Sequence, residues 1–160
     1  MSELRYTEKE IYDFEDRRLL NFFEDSILLN GSFQTTLNNL TAATALVDRG
    51  LISVYNPKID VVFSQCKKNF ISLGRCPKEK FDEDKFMDFN LRFRRFGESL
   101  ENCFDDLKSN CDLNERTRLV DREEIVQGLY DKCYVAYKSS RAERNMKENS
   151  IKAIKNQFEL

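Results

Sequence analysis

The sequence has no histidine among its 160 residues, and it has only five glycines and two prolines. Without an imidazole, the chain lacks the commonest general base and cannot build a Ser-His-Asp or Cys-His catalytic arrangement. Zinc and iron sites that need histidine are excluded for the same reason. Because glycine and proline mark most turns, their scarcity favours long helices over an all-β fold with many turns.

Other signatures of catalysis and of cofactor binding are also missing. The sequence contains neither GxxxxGK[ST] nor GxGxxG, so it offers no loop that would cradle a phosphate. Adjacent carboxylates such as Asp105 and Asp106, or Glu123 and Glu124, point in different directions on a helix and make poor acid and base pairs. We therefore expect a protein that is not an enzyme and that holds no cofactor.

The cysteines predict reduced thiols rather than a metal site. Their number is odd, and their separations of 10, 27, 8 and 22 residues include no CxxC pair of the kind that cysteine-only zinc sites use. Reduced thiols are typical of intracellular proteins. The five positions are Cys66, Cys76, Cys103, Cys111 and Cys133.

The N-terminal residues do not resemble a signal peptide, because they are acidic and charged where a basic start and an apolar run would be needed. No stretch approaches about 18 uninterrupted apolar residues, the length of a membrane-spanning helix. The formal net charge of −2 gives no global attraction to nucleic acid. We expect an intracellular, cytoplasmic protein outside the membrane, with a nuclear location left open.

Apolar periodicity predicts an all-α fold, an antiparallel bundle of four to five helices with a polar C-terminal helical extension. Hydrophobic residues make up 41% of the chain, with 13 Phe and 6 Tyr, which is enough for a buried core in one domain. Residues 51–55 are interpreted as a connector, although their β-branched content would also suit a short strand, and residues 112–120 as a second connector. The predicted helices cover about 8–29, 33–50, 57–73, 78–110 and 121–137.

Capping patterns set several of these boundaries. Thr7 with Glu10, and "DREE" at 121–124, form capping boxes. Ser32 is a good N-cap, and Asn56 is followed by a proline at the first helical position. Glycines 31, 50 and 74 are expected to end the first three helices.

The stretch "FMDFNLRFRRFGESLENCF", residues 86–104, combines phenylalanines with arginines. Its apolar residues form two interleaved series with a seven-residue spacing, which predicts a helix that packs along one seam in the core. Arg92 and Arg94 each have an acidic residue four positions away, so the patch is not a clean cationic surface for nucleic acid. The two series are Phe86, Phe93, Leu100 and Leu107, and Phe89, Phe96 and Cys103.

Part of the same stretch, "FNLRFRRFGESL", resembles the BH3 motif of apoptosis regulators. In that motif four apolar residues at steps of four, three and four surround a small residue that is followed by an acid. The resemblance implies a helix that docks into a groove on a Bcl-2-like partner, with the acid paired to an arginine there. The matching residues are Phe89, Phe93, Phe96, Gly97, Glu98 and Leu100, with Phe93 in place of the usual Leu and Glu98 in place of the usual Asp.

Residues 1–137 are predicted to form the helical bundle domain, and residues 138–160 a basic C-terminal helical extension that is part of the same domain or projects from it. The segment "KSSRAERNMKENS" is polar on nearly every face, so it gains little from the core of its own chain. It is either a continuation of the fifth helix or a separate short helix capped at Ser140. The residues expected to bind a partner are Lys138, Arg141, Arg144, Lys147, Ile151, Ile154 and Phe158.

These observations favour a non-catalytic helical interaction module: an adaptor, an assembly subunit or a regulator. Its partners would be proteins bound through helical surfaces, including further copies of the chain. One alternative is a nucleic-acid-associated protein, in which Lys67, Lys68, Arg75, Lys78 and Lys80 would converge with the basic C-terminal residues. Another is an enzyme that uses carboxylates, tyrosine and lysine within the bundle.

Charge is unevenly distributed between the two ends of the chain. Residues 1–30 carry eight acidic and four basic side chains, whereas residues 138–160 carry three acidic and six basic ones. We interpret this asymmetry as favouring side-by-side packing of the first and last segments, with recognition of a partner as the alternative.

Overall fold

The computed structural model describes residues 8–29 and 31–158, with side chains from residue 14 onward. Within these ranges the chain is all-α, with five α-helices, one 3₁₀ turn and no strand. The predicted fold class is therefore confirmed, and residues 51–55 are a connector. The helices are α1 (Glu8–Ser26), α2 (Phe33–Asp48), α3 (Pro57–Arg75), α4 (Glu83–Ser109) and α5 (Leu113–Phe158), with the 3₁₀ turn at Lys78–Lys80.

Each helix runs opposite to its predecessor in the chain, and α3 and α5 consequently run parallel. Residues 60–75 of α3 meet residues of rising number in α5, from Arg122 to Glu143. The pairs that define the other directions are Asp16–Arg49 and Ser26–Asn39 for α1 and α2, Asn39–Gln65 and Thr36–Asn69 for α2 and α3, Phe63–Phe96 and Phe70–Phe89 for α3 and α4, and Phe93–Tyr130 and Phe86–Tyr137 for α4 and α5.

The core is built around two phenylalanines of α3. The ring of Phe63 contacts rings of α4 and α5, and Phe70, seven residues later on the same face of α3, does the same. Both rings are completely or almost completely buried. Each such ring contributes roughly 1.5 to 3 kcal/mol through its removal from water, so these two side chains stabilise the core that α3, α4 and α5 share.

Two predicted helix starts are confirmed by their caps. The Ser32 hydroxyl accepts a hydrogen bond from the amide of Thr35, and the Asn56 side chain accepts one from the amide of Lys58. Thr7, which was predicted to cap α1, lies outside the described residues. Gly50 has a φ of +69°, the left-handed conformation expected just after α2.

Three predicted boundaries are wrong. α1 ends at Ser26, three residues before its predicted end, and the residues that follow form a turn. α4 begins at Glu83 rather than 78, since Asp82 caps it through the amide of Lys85 and the preceding residues form the 3₁₀ turn. α3 passes through Gly74 and ends at Arg75, where the predicted stop had been placed at Gly74.

The largest correction concerns residues 112–158, which form a single helix of 46 residues after Asp112. Asp112 accepts a hydrogen bond from the amide of Glu115 and acts as the cap, so residues 113–120 are helix rather than connector. The "DREE" box lies inside this helix. Ser140 does not cap a separate helix, because it is a buried interior residue of α5.

The side-by-side packing expected of the first and last segments is not found among the described residues. α1 packs mainly against α2, and α5 packs mainly against α3. The described parts of the acidic and basic ends therefore do not neutralise each other by direct packing.

Gly74 allows α3 and α5 to approach closely. A Cβ atom at this position would lie 2.7 Å from the carbonyl oxygen of Tyr137 and 2.7 Å from the Cβ of Ser140. Both are firm obstacles, since one is backbone and the other is fixed to it. The glycine therefore serves helix packing rather than helix termination.

We expect Gly74→Ala to lower the free energy of unfolding by about 1 to 3 kcal/mol, because α3 must move away from α5. Urea unfolding followed by circular dichroism measures this change. Gly128→Ala is the matched control, since nothing lies within 4 Å of its added Cβ, and it should raise stability by about 0.5 to 1 kcal/mol. Equal effects of the two substitutions would contradict the close approach.

Candidate protein-interaction surface

The phenylalanine stripe of α4 is core rather than surface. Phe89, Phe93 and Phe96 are 0% exposed, and Phe86 is partly buried against the cluster. Phe93 stacks on Tyr130 of α5 at 4.6 Å between ring centroids. The prediction that this stripe packs inside the bundle is confirmed.

The BH3-like residues differ in their exposure to solvent. Phe89, Phe93, Phe96 and Leu100 all lie in the core, whereas Glu98 is exposed. A Cβ on Gly97 would lie 2.5 Å from a ring carbon of Tyr130, so this glycine accommodates the neighbouring α5. Insertion of the four apolar residues into a partner would require α4 to leave its own bundle.

We expect Phe93→Ala to lower the free energy of unfolding by about 3 to 5 kcal/mol, because it removes a fully buried ring. Leu91→Ala on the same helix is the control, since Leu91 is 48% exposed, and it should change stability by about 0.5 kcal/mol or less. Chemical denaturation of both variants provides the measurement. A stable, fully folded Phe93→Ala variant would contradict the core assignment.

One face of α5 packs along the bundle with a regular seven-residue spacing. Leu119, Val126, Cys133 and Ser140 recur every seven residues and are all buried, and Tyr137 is buried with them. Residues at these spacings share a face of a helix that packs along a neighbour. The face continues in sequence to Arg144, Lys147, Ile151, Ile154 and Phe158.

Beyond the end of α3, the core-facing side of α5 becomes exposed to solvent. Ser140 sits against Gly74, and the Arg144 guanidinium donates a hydrogen bond of 2.9 Å to the carbonyl oxygen of Cys76. The Glu148 carboxylate then accepts a long hydrogen bond of 3.5 Å from the amide of Lys78. Residues 149–158 are all exposed. We call residues 147–158 the α5 tail.

The α5 tail leaves three large apolar side chains in solvent. Ile151 is 48% exposed, Ile154 is 54% exposed and Phe158 is 79% exposed. They follow each other at steps of three and four, so they form one stripe. The stripe continues the face that is buried up to Ser140, which distinguishes it from scattered surface residues.

The seven residues predicted to bind a partner therefore differ in their exposure and in their contacts. Arg144 is partly buried and holds the turn after α3, whereas Lys138 and Arg141 are exposed beside the bundle. The Arg141 guanidinium lies 5.6 Å from the centre of the Tyr137 ring. Lys147 is exposed with the three apolar tail residues, and these four form the predicted group that stays free of the bundle.

A cleft of about 640 Å³ lies between the α5 tail and the turn that follows α3. Of the five cations that the nucleic-acid alternative placed on one face, Arg75 lines this cleft, together with Arg144 and tail lysines. Glu79, Glu143 and Glu148 line it as well. The acidic side chains interrupt the positive surface that a phosphate backbone would need.

A second groove, of about 540 Å³, lies between the end of α4 and the start of α5. Its floor includes the apolar residues Leu100, Phe104 and Val126, and its rim is mainly acidic. At the rim the Lys108 ammonium contacts Glu123, and this hydrogen bond raises the pKa of Lys108. The acidic residues that line the groove are Glu98, Glu101, Asp105, Glu123 and Glu124.

Sequence reasoning missed this acidic groove as a site. The signal was available in the charge count, because residues 98–124 carry nine acidic and four basic side chains. What the sequence did not show is that α5 begins at Leu113, which places the two halves of this segment side by side.

The tyrosines of α5 are structural groups of the α4 interface. The Tyr134 hydroxyl donates to the side-chain oxygen of Asn90 at 2.8 Å, and burial together with the Tyr130 hydroxyl raises the pKa of Tyr134. Tyr130 is half-buried, and Tyr137 is buried, 7% exposed. No group of three cysteine or carboxylate side chains in the described ranges is arranged to hold a metal ion.

The cysteines at the α3–α5 interface are shielded from solvent. Burial raises the pKa of the Cys66 thiol well above its usual value, and it raises the pKa of Cys133 to about 12. Since the thiolate is the reactive form, burial leaves Cys133 almost entirely as the unreactive thiol at pH 8. Cys76 and Cys111 are only half-buried.

We therefore expect a thiol reagent at pH 8 to modify Cys76 and Cys111 of the folded protein first, and Cys66 and Cys133 only as the protein unfolds. Mass spectrometry of the labelled peptides over time measures the order. Denatured protein, in which all five cysteines should react together, is the control. Early labelling of Cys133 in folded protein would contradict the burial of this interface.

None of the described helices combines the length and the apolar character that crossing a membrane requires. Comparisons of the chain with models of protein families, with curated proteins and with solved structures find no match.

Proposed function

We propose that this chain is a non-catalytic protein-interaction module whose docking surface is the α5 tail. The observation that carries the proposal is the continuation of the core-facing stripe of α5 beyond the end of α3. Ile151, Ile154 and Phe158 occupy the positions that α3 would cover if it were longer. A helix of a partner protein that lies along this face would take the place of the missing turns of α3.

The energetics favour such a partner. Burial of an Ile or Phe side chain contributes roughly 1.5 to 3 kcal/mol, and three in a row form the kind of compact apolar centre found in helix-in-groove recognition. The surrounding side chains Lys147, Lys152 and Lys155 are exposed cations. They would form a charged rim around the apolar stripe, as in interfaces whose polar edge surrounds a dry centre.

The α5 tail also has the stiffness that a docking element needs. It is a direct continuation of a helix whose preceding turns are fixed to α3 by Ser140 and Arg144. A partner therefore meets a preformed helix and does not have to order the segment, which lowers the entropy lost on binding.

The test is a triple substitution, Ile151→Ser, Ile154→Ser and Phe158→Ser, in the full chain. We expect it to abolish binding to the physiological partner while the fold remains, because about half or more of each of these side chains is exposed to solvent. The partner is captured from the native cell with tagged wild-type protein, purified, and titrated against both proteins by calorimetry. Affinity should fall at least about 100-fold.

The matched control is Asn149→Ser, Ala153→Ser and Asn156→Ser, which changes exposed residues on the opposite face of the same turns. This variant should bind like wild type. A purified partner that binds all three proteins equally would refute the assignment of the docking surface to the apolar stripe.

A further inference from the structure

We propose that the occupant of the α5 tail is a second copy of this chain, bound at the acidic groove between α4 and α5. This inference rests on the proposed function and names its partner. The tail of one molecule would lie against residues 98–124 of the next, so that basic and acidic surfaces of different molecules meet.

The charges of the two ends are complementary. Residues 138–158 carry six basic and two acidic side chains, whereas residues 98–124 carry nine acidic and four basic ones. At the groove, Glu98, Glu101 and Glu124 are exposed, and on the tail Lys147, Lys152 and Lys155 are exposed. Surfaces of opposite charge accelerate association and fix the orientation in which two proteins meet.

The two ends cannot neutralise each other within one molecule. Along α5, Glu124 of the groove and Lys147 of the tail are 23 residues apart, about 35 Å at 1.5 Å per residue. This length is several times the Debye length of about 8 Å at physiological ionic strength, so attraction between the ends of one molecule is screened. Only a second copy can bring the basic end into contact with the acidic end.

Shape and apolar surface also match. The tail of 12 residues is about 18 Å long, and the groove follows α4 from Arg94 to Lys108, which is about 21 Å. In the part of α5 that precedes its groove-lining residues, Leu113 is 85% exposed and Val120 is 37% exposed, seven residues apart on one face. These side chains give Ile151, Ile154 and Phe158 apolar partners at the acidic end.

A symmetric pairing of two tails is the weaker arrangement. It would bring Lys147, Lys152 and Lys155 of one copy close to the same lysines of the other, and it would bury only three large apolar side chains per chain. Contact between tail and groove has opposite charges and a concave receptor.

The proposed contact joins two different surfaces and is therefore heterologous. Repeated from copy to copy, it forms a closed ring or an open chain, according to the rotation between neighbours. We expect wild-type protein to show a mass that rises with concentration beyond a monomer in sedimentation velocity. Increasing NaCl from about 0.1 to 1 M should weaken the association, because the Debye length falls from about 10 to 3 Å.

Charge reversal provides the decisive experiment. One variant carries Lys147→Glu, Lys152→Glu and Lys155→Glu, so that both its tail and its groove are acidic. The other carries Glu98→Lys, Glu101→Lys and Glu124→Lys, so that both are basic. These six side chains take part in no ion pair among the described residues, so the fold should survive, as circular dichroism and thermal unfolding will show.

Each variant alone should be monomeric, and an equimolar mixture should associate again, because each tail then meets a groove of opposite charge. The proposal is overturned if wild type stays monomeric over the whole concentration range, if only the tail variant loses association, or if the mixture stays monomeric. The function proposed above fails separately, when the serine variant of the tail still binds the purified cellular partner.

Discussion

The aromatic core that α3 forms with α4 and α5 is the interaction on which the rest of the structure depends. Phe63 and Phe70 of α3 each contact aromatic rings of α4 and of α5. α4 and α5 make fewer direct contacts with each other than α5 makes with α3. This leaves room for the groove at one end of the α4–α5 interface. At the C-terminal end of α3, Gly74 brings α3 and α5 so close that their separation is fixed.

Most of the fold can be predicted from the sequence because local signals and tertiary packing agree. Ser32 and Asn56 cap helices as their types suggest, and the seven-residue spacing of the α4 phenylalanines places them in the core. Helix periodicity and capping are properties of neighbouring residues, so they can be recognised without knowledge of the remaining chain.

The failures occur where one local signal has two physical meanings. Gly74 carries the residue type of a helix stop, but its role is to allow close approach to a helix more than 60 residues away. "DREE" at 121–124 and "DLNE" at 112–115 both suit a helix start, and Asp112 is the residue that caps α5. The choice of Asp112 over Asp121 as the cap could not be made from neighbouring residues alone, because Leu119 is recognised as a core residue only in the folded bundle.

The candidate surface shows the same limit. The sequence indicated residues 138–160 as the binding region because they are polar and basic, but it did not show which of them the bundle uses. The length of α3 decides this, since Arg144 binds the carbonyl of Cys76 and residues 149–158 are all exposed. Residues 151, 154 and 158 can be recognised as an exposed continuation of the core-facing stripe only when it is known that α3 ends at Arg75.

The parallel pairing of α3 and α5 has a consequence for how the chain folds. The Arg122 guanidinium donates to the carbonyl oxygen of Val54 at 2.8 Å and pairs with Asp60, across separations of 68 and 62 residues. All of α4 must be looped out before these groups meet, and such long-range closure slows folding because the entropy of the loop is lost first. Until α5 docks, the rings of α3 and α4 are uncovered on the side that α5 occupies in the bundle. The aromatic core is thus complete only after its longest helix has docked.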